Sequence, residues 1–166
     1  MKLERLSALA ELVSAVAILV TLGYLAIQTR QNTAAVQASV RQSMIADDRE
    51  LLFQQMAFPH VAPGEYNRDL TAEEEVQVIS WLIAFIRVRE SHWLQYQNGV
   101  VDEATWATYR APLAIILSQP MSRLYWDTQS EAGQFDPGFV RDVNGFLADT
   151  PVETSRSMSE AIGLKR

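Results

Sequence analysis

The sequence predicts an all-α protein in which a single N-terminal transmembrane helix continues into a long helix and packs with a small helical bundle. Three observations predict it. Leu6 to Ile27 holds one ionisable group, Glu11. No glycine or proline occurs between Tyr24 and Phe58. Beyond Pro59, apolar residues recur at helical spacing between Pro, Gly and Asx punctuation, with no strand alternation to oppose them.

The first helix is apolar on every face. Leu6 to Ile27 covers about 33 Å at 1.5 Å per residue, close to the roughly 30 Å of a hydrocarbon core. From Leu12 to Ile27 the polar atoms are those of Ser14, Thr21 and the Tyr24 phenol, and the two hydroxyls can bond back to helix carbonyls. A cleaved signal peptide fits less well. Lys2 and Arg5 supply a positive start, but Glu4 and Glu11 interrupt it and no small-x-small site closes the run. A core helix of a small soluble domain would keep one polar stripe. Lys2 and Arg5 on one side balance Arg30 and Arg41 on the other, so charge leaves the orientation open.

The segment from Ile27 to Met56 reads as the same helix running on, with Asn32-Thr33 the candidate break because short polar side chains compete for backbone groups. Its apolar stripe is Val36, Val40, Met44, Leu51 or Leu52, and Met56. Phe58-Pro59 ends it, and residues 59–70 form a loop. Thr71 with Glu74 makes a capping box, and the acidic residues Glu73 to Glu75 suit the positive helix end. That helix runs to Gln97 and stops at Asn98-Gly99. Its centre, WLIAFI at 81–86, is the expected centre of the bundle. Asp102 starts the next helix, which reaches Leu117 and should bend at Pro112. Ser118-Gln119-Pro120 opens a short helix, and Asp136-Pro137 another carrying Phe139, Val143 and Phe146-Leu147. Thr150-Pro151 repeats the device, but the residues after it are polar. The expected domains are an anchor at 1–30, a helical bundle at 31–150 and a polar tail at 151–166.

Composition excludes several chemistries. The absence of cysteine removes disulfides, thiol catalysis and cysteine-ligated zinc. The two histidines, His60 and His92, lie far apart in sequence, so no histidine-rich metal site and no cofactor are expected. A net charge of -6 argues against a nucleic-acid surface, which wants a basic stripe.

Four residues stand out. Glu11 is costly inside a membrane unless neutral, interfacial or sheltered by a neighbouring helix. Arg30, with Gln31 and Asn32, falls at the headgroup level and can snorkel to phosphate or pair between subunits. Glu11 and Arg30 lie about 28 Å apart along a helix, so they mark opposite interfaces. Arg89 and His92, three residues apart, share a helix face. Arg89 has Trp93 or a carboxylate as its expected neighbour, and His92 reads as a core or rim histidine before it reads as a base. His60, in the loop, is expected to be exposed. Trp81, Trp93, Trp106 and Trp126 are expected in the bundle core, with an aromatic ligand pocket as the alternative.

TLGYLAIQTRQNT at the span's end, the alanine-rich helix after it and the closing YQNGVVDEATW resemble a widespread family of small bacterial membrane-anchored helical proteins of unknown function. The matching positions are Glu11, Val20 to Ala26, Arg30-Gln31-Asn32, Gly99, Asp102, Glu103 and Trp106. The resemblance covers nearly the whole chain. It implies a single-pass protein of the bacterial inner membrane with a cytoplasmic helical domain, and it carries no catalytic residues across. More distantly, the plan resembles membrane-anchored HEPN-type accessory proteins of RNA-guided defence systems, which assemble as rings or pores. HEPN ribonucleases carry arginine, a polar residue and then histidine, and Arg87 to His92 has such a spacing. Val88 replaces the polar residue, however, and five positions on a straight helix set Arg87 and His92 about 140° apart.

The sequence therefore predicts a membrane-anchored structural or interaction module. An oligomeric pore or defence accessory is the second reading, and a HEPN-like ribonuclease the third. Its expected partners are the lipid bilayer, further copies of the chain through Glu11 to Met44, and an unidentified protein.

Overall fold

Residues Lys2–Ala57 form one uninterrupted α-helix, α1. The structure, a computed structural model, describes residues 2–63, 65, 68–149 and 152, with side chains from Ala10 onward. The expected polar tail thus lies outside the described residues, apart from Val152. The chain divides into two units, Met1–Arg41 and Gln42–Arg166, and α1 contributes to both.

In the first unit every described side chain from Ala10 to Val36 is exposed. Three threonines turn their hydroxyls onto the preceding turn. Thr21 donates to the Ala17 carbonyl at 2.8 Å, Thr29 to Leu25 at 2.9 Å and Thr33 to Thr29 at 3.0 Å. The helix continues through Asn32-Thr33, the candidate break. The Thr33 hydroxyl is spent on a carbonyl of its own helix and offers the backbone no alternative.

Among the described residues of the second unit, the remainder of α1 is followed by a 3-10 turn, Pro59–Val61, and by four helices. They are α2 (Ala72–Gln97), α3 (Glu103–Leu117), α4 (Pro120–Glu131) and α5 (Pro137–Leu147). The termini follow the sequence signals. Thr71 and Glu74 close the capping box on α2, and Arg68 bonds Glu74 at 2.6 Å. That bond, with the Thr71 backbone N–H, holds the Glu74 carboxyl down to about 2. Asp102 and Asp136 cap α3 and α5 through the backbone N–H of Thr105 and of Gly138 and Phe139. After α2, Gly99 takes φ +69° while Val100 N–H bonds Gln95 and Gly99 N–H bonds Tyr96. This is a Schellman stop, and glycine is the residue that enters its left-handed position without strain. α3 stays helical through Pro112.

The core is built around α2. Val78, Leu82 and Ile86 are fully buried, and Trp81 and Phe85 stack with ring centroids 5.2 Å apart. Ile83 points outward, so the WLIAFI centre is buried on most faces and not all. All four tryptophans are core residues, as expected. Trp106 and Trp126 satisfy their indole N–H groups on α5, at Asp142 (3.2 Å) and Asn144 (2.9 Å), which fixes α3 and α4 against α5.

The apolar stripe of α1 is covered in part, and the expectation for His60 needs correction. On α1, Met44 and Leu51 are buried and Val40 is half-buried, but Val36 and Met56 are exposed, Met56 at 76%. The covered face runs instead through Asp47, Asp48, Gln54 and Gln55, all half-buried, because Met44, Leu51 and these positions share one side of the helix. His60 is half-buried, since its 3-10 turn seats the neighbouring Val61 in the core.

Candidate functional site

A stripe that carries Met44 and Leu51 on α1 also carries Asp47 and Asp48, so it brings two carboxylates onto a face that packs inward. On α2, Phe85, Arg89 and His92 follow one another on a single face. These side chains meet. Arg89 Nη1 donates to Asp48 Oδ1 at 2.5 Å, and its guanidinium lies over the Phe85 ring, 4.6 Å from the centroid. The Arg89 side chain is 4% exposed and that of Asp48 is 34% exposed. Water therefore reaches the carboxylate and not the cation, and the cation depends on its partner.

His92 lies beside this pair, its side chain 1% exposed. Its Nδ1 is 3.3 Å from Arg89 Nη1 and its Nε2 is 3.3 Å from Asp47 Oδ2. A guanidinium can only donate, so Nδ1 must accept. Nε2 then carries the proton and donates to Asp47, which assigns the neutral Nε2–H tautomer from the network. Burial, followed by the Arg89 charge, holds the His92 pKa below its ordinary value, against the opposing pull of Asp47 and Asp48. The Tyr109 ring from α3 closes the site edge-on to His92, with centroids 4.7 Å apart. Burial pushes the Tyr109 phenol up, and Asp48 adds to the shift.

Both nitrogens of His92 are engaged, so the ring has no free lone pair for a substrate proton unless the Arg89 bond opens. The network joins α1 to α2 through polar atoms, and α3 adds the Tyr109 ring. Chemically it is suited to fixing helices, and it presents no nucleophile next to a free base.

Arg87 belongs to a different network. It bonds Glu90 at 2.7 Å and lies over Phe135, 4.8 Å from the ring centroid. Glu90 in turn accepts the Asp136 backbone N–H at 2.6 Å, tying α2 to the start of α5. Arg87 and His92 are thus committed to separate partners.

Of the four residues singled out in the sequence, Arg89 and His92 come together. Glu11 and Arg30 are exposed in the first unit. Asp47, Asp48 and Tyr109 were missed as site residues. The signal for the aspartates was present, since an acidic pair stands inside an apolar helical stripe. Nothing local marked Tyr109. Among the described residues, no group of three or more His, Cys, Asp or Glu side chains is disposed to hold a metal ion.

Among the described residues one helix, within Ala10–Ala57, is long and apolar enough to cross a membrane, and none of its most apolar window is buried inside the molecule. The chain matches no protein-family model, no curated protein and no solved structure.

Proposed function

We propose that this chain is a membrane-anchored interaction module: the first part of α1 holds it in a bilayer, and the helical bundle acts through contacts and not through catalysis. The observation that carries the reading is the exposed apolar run from Leu12 to Ile27, where Leu19 is 69% and Val20 67% exposed. Burying one such side chain is worth roughly 1.5–3 kcal/mol. About ten of them add up to roughly 15–30 kcal/mol in favour of transfer from water to hydrocarbon. A bilayer is the solvent that removes this cost. On this reading the bundle lies in the cytoplasm of a bacterium, which is what the resemblance to small bacterial membrane-anchored helical proteins would imply.

The engaged state of Arg89 and His92 supports a non-catalytic bundle. Copies of the chain associate, on this account. Glu11 stands in the apolar run and gains from a neighbouring helix. On α1 a second stripe, Ile45, Leu52 and Met56 with Phe53 beside it, is exposed, whereas Met44 is covered by the chain's own bundle. This outer stripe takes over the extramembrane role that Val36, Val40 and Met44 were expected to fill. The experiment is the double substitution Leu19→Lys with Leu22→Lys in the full chain. Each charge costs about 2.5–3.5 kcal/mol at a bilayer centre. The reading expects the variant to leave the membrane fraction, and a variant that stays membrane-bound contradicts it.

A further inference from the structure

In the apolar part of α1 the polar side chains keep to one side. Between Glu11 and Ile27 they are Glu11, Ser14, Thr21 and Tyr24. At about 100° per residue, Glu11, Ser14 and Thr21 fall within an arc of about 80°, and Tyr24 stands outside it. Ile18 and Leu25 share that arc, and Gln28 continues the row. Glu11, Ile18 and Leu25 repeat every seven residues, and so do Ser14, Thr21 and Gln28. Two such series three residues apart are the a and d positions of a left-handed helix pair. α1 runs through this stretch unbroken, so the row is continuous. Every member is exposed, so the described residues leave the row uncovered. Lipid tails offer it no hydrogen bond, and polar side chains in a span turn toward other helices.

We propose that this row is the seam of a parallel, in-register assembly, in which Glu11, Ser14, Thr21 and Gln28 face their own counterparts in a second copy of the chain. The proposal rests on the self-association reading above and adds the face, the orientation and the register. Complementarity selects the occupant. Copies of one chain enter the bilayer in one orientation, so each polar layer meets its own kind at the same depth. A different membrane protein would need polar groups at the same four depths, whereas a second copy has them by identity. The layers suit this pairing. A Gln28 amide both donates and accepts, so two of them can bond each other. A Ser14 hydroxyl can donate to a Glu11 carboxylate one layer away. The Thr21 hydroxyl is already bonded to the Ala17 carbonyl at 2.8 Å, so it packs in the seam as a small residue and lets the helices approach. Gly23 has open space around it and lies with Val16 and Val20 on the opposite side, which makes that side the rival interface.

The chain has no cysteine, so single cysteines report contacts without background. Ser14→Cys, Thr21→Cys, Val16→Cys and Val20→Cys are each placed in the full chain and oxidised with copper phenanthroline in membranes of the expressing cell. A disulfide needs Cα atoms within about 7 Å, so Ser14→Cys and Thr21→Cys should form cross-linked dimer at least about fivefold faster than Val16→Cys and Val20→Cys. Co-expressed Ser14→Cys and Gln28→Cys chains, one of them tagged, should cross-link to their own kind and not to each other. The seam is overturned by equal rates on the two sides, by faster reaction at positions 16 and 20, by cross-links between positions 14 and 28, or by adducts with another protein alone. In each of those cases a mass above the monomer in mild detergent leaves the self-association reading standing. A monomeric mass with no cross-link at any position overturns both.

Discussion

Arg89 Nη1 lies 3.3 Å from His92 Nδ1, so a permanent cation and a titratable ring share one buried contact. The contact survives only while the ring is neutral. Its consequence is a pH dependence of the fold. The native pKa of His92 is lowered, first by burial and then by Arg89, from an ordinary value of about 6.5. The unfolded chain therefore binds a proton that the native chain resists, and protonation favours unfolding. Stability is unaffected by this residue above about pH 6.5, falls as pH drops through that value, and levels off below the native pKa. Thermal unfolding of the wild type and His92→Gln at pH 7.5 and pH 5 checks it. The wild type should lose more stability on acidification than the variant. An equal or smaller loss counts against the assignment.

Asp48 and Arg89 should respond unequally to deletion. Asp48→Ala leaves a cation with a 4% exposed side chain without its main partner and should cost about 3 kcal/mol. Arg89→Met leaves a carboxylate that is one-third exposed and can rehydrate, so it should cost less, about 1–2 kcal/mol. Denaturant unfolding followed by tryptophan fluorescence gives the order. The reverse order would mean that the guanidinium finds other compensation.

Much of this fold was legible because helix ends are local chemistry. Thr71 with Glu74, Asn98-Gly99 and Asp136-Pro137 each stop or start a helix within a few residues, and each does so in the structure. The stop at Gly133, φ +73°, uses the same hydrogen-bond pattern as Gly99 and was readable but overlooked. The Arg89–Asp48 pair was not legible, since its members stand 41 positions apart and depend on how α1 crosses α2. The face of α1 was half legible. Its period picked out Met44 and Leu51. Hydrophobicity alone also pointed to Val36 and Met56, which are exposed.

The separation of Arg87 from His92 bears on nuclease chemistry. Arg87 is bonded to Glu90 and His92 to Arg89 and Asp47, so no joint site for RNA is assembled. Purified protein should leave RNA intact. A robust cleavage lost in both Arg87→Ala and His92→Ala, with helical content unchanged, would overturn the non-catalytic account.

Self-association makes a separate claim about mass. In mild detergent, corrected for bound detergent, the chain should be larger than a monomer. Phe53→Glu combined with Met56→Glu alters exposed positions only and should weaken assembly if the outer stripe contributes. Glu11→Leu should weaken it if the carboxylate contributes. A monomer across a broad concentration range contradicts association altogether.

The membrane anchor is the central claim, and alkaline carbonate extraction of membranes from the expressing cell tests it most directly. The exposed run from Leu12 to Ile27 predicts that the full-length chain stays in the pellet, with its original start intact. Recovery in the soluble fraction, or a mature chain beginning near residue 28, would contradict the account.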